Sequence, residues 1–185
     1  MKIVLKNYLL LTEDESIKLL KVRNHKDIKK NMLSQETIFL KSHLSWLSSL
    51  REDEKSFYYA VFVDNQLFGG VNITKIDYKE SIASWGIFFK SGTNPLVPSI
   101  AAYLLIDRIF NTLNISTLNL EVNKLNINAY KFDMHFGFKA YNEFEERNSY
   151  YHQMTMNKEY WNNNKSIGFT GVIERRIKKI EYKFT

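Results

Sequence analysis

The chain has 185 residues, 44 % of them apolar, with 26 Lys and Arg against 20 Asp and Glu for a formal charge of +6. That length suits one domain able to bury a full core, and 13 Phe, 11 Tyr and 3 Trp make its interior aromatic. The absence of cysteine excludes disulfides, thiolate metal ligands and a cysteine nucleophile. No apolar run approaches the ~20 residues that span a bilayer and residues 1–11 carry no leader cleavage pattern, so a cytoplasmic protein without membrane partners is expected.

In chain order, residues 3–11 alternate weakly and predict a first strand. Thr12 and Glu15 form a capping box that starts a helix reaching Val22, with Leu19, Leu20 and Val22 as its buried stripe. A second helix is predicted over 35–49, where Phe39, Leu40, His43, Leu44, Trp46 and Leu47 follow helical spacing. Residues 57–63 and 67–76 read as a hairpin turning at Asp64-Asn65, and 82–89 as the next strand. A turn-like stretch leads into a helix over 100–113, a strand over 118–122 and a last core strand over 150–156.

Asn162-Asn163-Asn164 reads as a breaker that closes the compact unit, giving a domain over 1–161 and a basic extension over 162–185. Residues 172–184 suit either a strand pair or a basic amphipathic segment. The basic excess gathers there, at Arg175, Arg176, Lys178 and Lys179, but no nucleic-acid motif accompanies it, so nucleic acid is not an expected partner. Contact with a nucleotide diphosphate or with a second copy in a homodimer stays open. His25 and His43 are isolated, and no third ligand completes a metal site.

The most informative stretch is 118–138. An alternating strand runs into a polar turn; Asn126 can cap a helix on which Ala129, Phe132 and Phe136 share a face; Gly137 can take the left-handed stop. This strand, the Asn-x-x-Ala opening and the Gly-Phe ending resemble the last conserved block of the GNAT N-acyltransferases. The resemblance implies a mixed α/β fold whose central, mostly antiparallel sheet splays between its fourth and fifth strands to admit acetyl-CoA. A primary amine would attack the thioester from the other side. Further similarity to bacterial sugar-nucleotide N-acetyltransferases of the pseudaminic-acid type rests on Arg23-Asn24-His25, on His43-Leu44-x-Trp46, on Gly70-Val71-x-Ile73-Thr74-Lys75-Ile76 and on Leu120-Glu121-Val122. It implies a nucleotide-linked amino sugar as acceptor.

The resemblance implies roles for particular residues. Ile87, Phe88 and Phe89 would pair with pantetheine and polarise the carbonyl. Lys90, Ser99, Ile100 and Ala101 would stand at the pyrophosphate, and Asn126, Ala129 and Phe132 would border the cofactor. Arg23, Asn24, His25, His43, Trp46 and Trp85 would hold the acceptor. Glu121, on the strand face opposite Leu120 and Val122, would hold or deprotonate the amine.

Two departures stand out. Asp133 occupies the position where the family places the tyrosine that protonates the departing thiolate. Either Asp133, kept protonated by burial, or Tyr130 would be the acid, or none is needed. The usual glycine-rich phosphate loop is replaced by Lys90-Ser91-Gly92-Thr93-Asn94-Pro95-Leu96-Val97-Pro98-Ser99. Protein N-terminal acetylation and a non-catalytic ligand-binding module are the rival readings.

Overall fold

Apolar residues alternate along the strands and decide which face of each is buried. Ile3 and Leu5, Val71 and Ile73, and Leu118 with Leu120 and Val122 all point into cores. The computed structural model describes residues 1–185. Its strands are β1 (Lys2–Asn7), β2 (Phe57–Val63), β3 (Gln66–Asp77), β4 (Ile82–Phe89), β5 (Thr117–Asn123), β6 (Lys139–Glu146), β7 (Ser149–Asn157) and β8 (Glu181–Phe184). They form one sheet in the order β6-β7-β5-β4-β3-β2-β1-β8. Only the β4–β5 and β1–β8 pairs are parallel. The helices are α1 (Glu13–Arg23), α2 (Lys26–Lys29), α3 (Leu40–Ser49), α4 (Leu96–Asn111), α5 (Ile127–Phe136), α6 (Lys158–Asn164) and α7 (Gly168–Ile177).

The two sheet faces carry different cores. The larger packs α4, α5 and α7 through residues such as Ile100, Ala101, Leu105, Phe136 and Ile173, and α4 is the crossover that makes β4 and β5 parallel neighbours. The smaller, around Tyr8, Leu19, Val22, Ile28 and Phe62, lies under α1 and α2.

Several boundaries differ from the sequence expectation. The first strand stops at Asn7 rather than residue 11, because the Asn7 carboxamide accepts the Leu9 N–H at 2.9 Å and caps a 3₁₀ turn over Tyr8–Leu10. The second helix starts at Leu40, not 35. Asn24 donates to the Ile38 carbonyl at 2.8 Å and accepts from its N–H at 2.9 Å, and that two-way pairing holds residue 38 out of the helix. The helix predicted over 100–113 begins earlier, at Leu96, and ends at Asn111. Strand β6 was not anticipated, since nearly every residue along it is exposed and no alternation marks it.

The largest difference lies at the C-terminal end. The asparagine run does not end the compact unit. It sits in α6, held because Trp161 is 1 % exposed and its indole donates to Asp107 at 3.1 Å. Beyond it, α7 buries Ile173 and Ile177 against the larger core, and β8 extends the sheet beside β1. The segment over 172–184 is thus a helix followed by one strand.

Candidate active site

The parallel seam between β4 and β5 closes for only three steps: Ile82 with Thr117, Ala83 with Leu118, and Ser84 with Asn119. Past that point β4 continues to Phe89 on β3 and β5 continues to Asn123 on β7, so each keeps its outer partner while the two separate. A cavity of about 280 Å³ fills the gap, lined by consecutive residues from Trp85 to Phe89 and from Leu120 to Val122, with Asn126, Ala129 and Asp133 of α5 behind. Side chains of one strand face alternate ways, so a run of consecutive lining residues means that the strand edge itself faces the gap. Such an edge offers main-chain donors and acceptors to an amide-bearing chain.

Helix α5 is aimed by its ends. The Asn126 side chain accepts the Ala129 N–H at 3.2 Å, and Gly137 takes φ +104°. Positions 126, 129 and 133 share the face toward the gap. Asp133 is 5 % exposed, and no hydrogen bond compensates its burial, which pushes its carboxyl from 3.8 up to about 8. The carboxyl therefore holds its proton at neutral pH, beside the gap. Tyr130 points elsewhere, its ring 4.6 Å from that of His152 on β7. Phe132 packs on Phe136 at 4.9 Å rather than lining the gap.

A second cavity of about 540 Å³ opens on the other sheet face and meets the first along Trp85 to Phe88 and Leu120-Glu121. Its wall is aromatic: the Trp46 ring stands edge-on to Tyr58 at 4.9 Å, with Tyr8 and His43 beside it. Its roof is the segment over 31–38, tied down where the Tyr151 hydroxyl donates to the Met32 carbonyl at 3.2 Å and Gln35 donates to Ser149 at 3.4 Å. Glu121 lines both cavities, with Lys75 Nζ at 3.9 Å. Burial lowers the basicity of Arg23 and His43. His43 is neutral and shares a 3.0 Å hydrogen bond with Ser16. Arg23 gives Nη2 to the Ser34 carbonyl at 3.2 Å, while Nη1 is buried without a partner.

The structure thus brings Arg23, His43, Trp46 and Glu121 to one cavity and leaves other candidates apart. Trp85 borders the cavity from β4, but its ring is buried in the larger core and stacked on Phe138 at 5.7 Å, so it is not placed to hold an acceptor. Asn24 is spent on Ile38. His25 caps α2, accepting the Asp27 N–H at 3.4 Å, and lines a separate groove with Lys90. Lys90 donates to the Leu67 carbonyl at 2.6 Å. Ser99 is buried and donates back to Pro95 at 2.8 Å, and Ile100 and Ala101 lie in the core. The first turn of α4 has spent its donors: Leu96 N–H goes to the Asn94 side chain at 3.0 Å, Val97 to the Asn94 carbonyl at 2.9 Å, Ser99 to Pro95 at 3.2 Å, and Pro98 has none. In the loop before it, the N–H groups of Ser91, Gly92 and Asn94 have no partner in the chain.

Sequence reasoning did not single out Tyr8, Tyr58, Asn72, Ser84, Asn119 and Gln153, which also line the larger cavity. A signal existed for the strand residues. Positions 72, 84 and 119 alternate with buried apolar neighbours and so fall on the face that carries Glu121.

A model of the acetyltransferase (GNAT) domain matches residues 10–161. The chain belongs to the GNAT acetyltransferase family. It is 31 % identical over 150 residues to the acetyltransferase PseH of Campylobacter jejuni subsp. jejuni serotype O:23/36 (strain 81-176), covering 81 % of this chain and 91 % of that protein. The crystal structure of Campylobacter jejuni N-acetyltransferase PseH in complex with acetyl coenzyme A superposes with a TM-score of 0.66 at 26 % identity, over 84 % of this chain and 98 % of that one. The spermidine N-acetyltransferase of Vibrio cholerae with CoA and spermine gives 0.74 at 16 % identity, over 83 % and 95 %, and shares the fold. This GNAT chain is an acetyltransferase with a mixed α/β fold whose sheet opens where the family admits its acyl donor.

Proposed function

We propose that this acetyltransferase moves the acetyl group of acetyl-CoA to the primary amine of a nucleotide-linked amino sugar. The observation that carries the reading is the junction of two cavities at the open end of the β4–β5 seam, one narrow and edged by main chain, the other wide and aromatic. Pantetheine amides would pair with the free edge of β4, placing the thioester where the cavities meet. The unconsumed N–H groups of Ser91, Gly92 and Asn94 offer the pyrophosphate a cradle one step earlier than the α4 N-terminus.

The residues present fit a direct transfer. Glu121 takes the proton of the amine, the nitrogen attacks the carbonyl carbon, and a C–N bond forms as the C–S bond breaks. Main-chain N–H groups of β4 near Ile87 and Phe89 hold the developing oxyanion. The departing thiolate takes the proton of Asp133, whose burial keeps it protonated at neutral pH. No acyl-enzyme forms. Tyr130, stacked on His152, is not the acid in this reading.

The acceptor cavity favours a sugar nucleotide over the alternatives. Glu121 is its single carboxylate, accompanied by Arg23 and Lys75, whereas a polyamine with several ammonium groups would call for several carboxylates. The roof over 31–38 covers one side of it and narrows the room that an extended peptide would need. The half-free Arg23 guanidinium suits a phosphate, and the Trp46 wall suits a base or sugar ring.

A thiol-release assay with acetyl-CoA tests the reading. The acceptors are UDP- and dTDP-linked amino sugars, short peptides with free N-termini, and spermidine. Release with an amino-sugar nucleotide is expected. Release with only the peptides or only spermidine would overturn the acceptor assignment, and failure to bind acetyl-CoA at millimolar concentration would overturn catalysis altogether.

A further inference from the structure

Strand register arranges the floor of the acceptor cavity in two cross-strand rows. Thr74, Ser84, Asn119 and Thr155 stand opposite one another on β3, β4, β5 and β7, over the last closed step of the seam. One step further, where the seam is open, the row reads Asn72, Gly86, Glu121, Gln153. All of these except Thr155 line the cavity. Asn72 is opposite Gly86, and a Cβ on that glycine would lie 3.1 Å from the Asn72 Oδ1. The bare glycine therefore leaves the Asn72 carboxamide room to lie across β4 toward the gap and Glu121.

The side chains of Asn72, Ser84 and Asn119 are all half-buried, and none hydrogen-bonds to another protein group. They share the cavity with the apolar side chains of Leu19, Met32, Trp46 and Phe88. An apolar ligand covering three such groups would leave them unpaired, at a cost in binding. The floor thus rejects apolar acceptors and suits a ring bearing uncharged hydroxyls. Ser84 and Asn119 stand on the last closed step of the seam, one step before Glu121, and Asn72 stands across β4 from the gap, so the three line the floor on one side of the point where the amine meets Glu121.

We propose that Asn72, Ser84 and Asn119 are specificity-determining residues that read the hydroxyl on the ring carbon next to the reacting amine. The inference rests on the amino-sugar acceptor proposed above and adds to it which part of the sugar is recognised, and by which side chains. Discrimination comes from the cost of leaving their amide and hydroxyl groups unpaired when that hydroxyl is missing.

The test compares a UDP-linked 4-amino sugar with its analogue lacking the adjacent hydroxyl, in the full-length protein and in Asn72→Ala, Ser84→Ala and Asn119→Ala. The unmodified protein should prefer the hydroxylated acceptor by about tenfold or more in kcat/KM. At least one variant should lose that preference by falling to the level of the deoxy acceptor, with the KM for acetyl-CoA unchanged as the sign of an intact seam. Gly86→Ala, whose new methyl would crowd the Asn72 Oδ1 at 3.1 Å, should shift the preference in the same direction as Asn72→Ala and by less. Full discrimination retained in all three alanine variants, or equal use of both acceptors by the unmodified protein, would overturn this inference while leaving the amino-sugar reading standing. Acetylation of neither acceptor would remove both.

Discussion

The two ends of the proposed acyl-donor path contrast sharply. At the thioester end, the seam opens beside Glu121, Asp133 and an aromatic cavity, with polar groups left free for a ligand. At the phosphate end, α4 has turned its donors inward: Asn94 and Pro95 take the N–H groups of its first turn, Pro98 contributes none, and Lys90 and Ser99 are bonded to the backbone. The contrast follows from what each end owes to the core. Residues flanking the seam, such as Ala83, Trp85, Leu118 and Leu120, are buried, so the two strands that border the opening are anchored by the core. In the loop over 90–95, by contrast, Asn94 and Pro95 are needed to start α4, while Gly92 has open space around it and is free to vary.

Substitution separates the two ends, and the thioester end should respond most. Glu121→Gln should lower kcat/KM by about a hundredfold to ten-thousandfold, with acetyl-CoA binding by calorimetry unchanged. Undiminished turnover would remove Glu121 from the chemistry and blur the contrast.

Asp133→Asn should act next most strongly. It should lower kcat by about a hundredfold and remove an alkaline limb near pH 8, because the protonated acid is lost from the unmodified enzyme as pH rises through about 8. Stability gives a second readout. The carboxyl releases its proton near 3.8 when unfolded but only near 8 when folded, so its stabilising protonation is fully present below pH 3.8 and lost as pH rises to 8. The Tm of Asp133→Asn should therefore gain on the unmodified protein between those limits and stay level above them. A constant Tm difference across that window would show that the carboxyl is ionised in the fold.

The smallest effects are expected at the phosphate end. Lys90→Ala and Ser99→Ala should each change the acetyl-CoA Kd by less than about threefold, since neither side chain is free to leave its carbonyl. A tenfold weakening in either would mean that the end reorganises on binding, and that the contrast belongs to the free protein alone.

Much of the architecture was legible because local signals agreed. The capping box at Thr12 and Glu15 formed as predicted, the Asn126 cap and the Gly137 stop bound α5, and Asp64-Asn65 turned the hairpin. What misled was also local. A helical spacing over 35–39 was overruled by the distant Asn24, and the asparagine run at 162–164 was held in a helix by the anchoring of Trp161. Strand β6 gave no signal, because exposed on both faces it has no reason to alternate.

The sequence by itself determined the order of elements from β1 to α5 apart from the short α2, the two ends of α5 and the family's last block, since caps, turns and alternation act within a few residues. Only the tertiary structure decided that the seam opens after Ser84 and Asn119, that Asp133 rather than Tyr130 faces the gap, and that Arg23 parts from Asn24 and His25. Those outcomes depend on which strand edges separate and which side chains lose water. Burial and pairing of that kind are set by residues far apart in the chain.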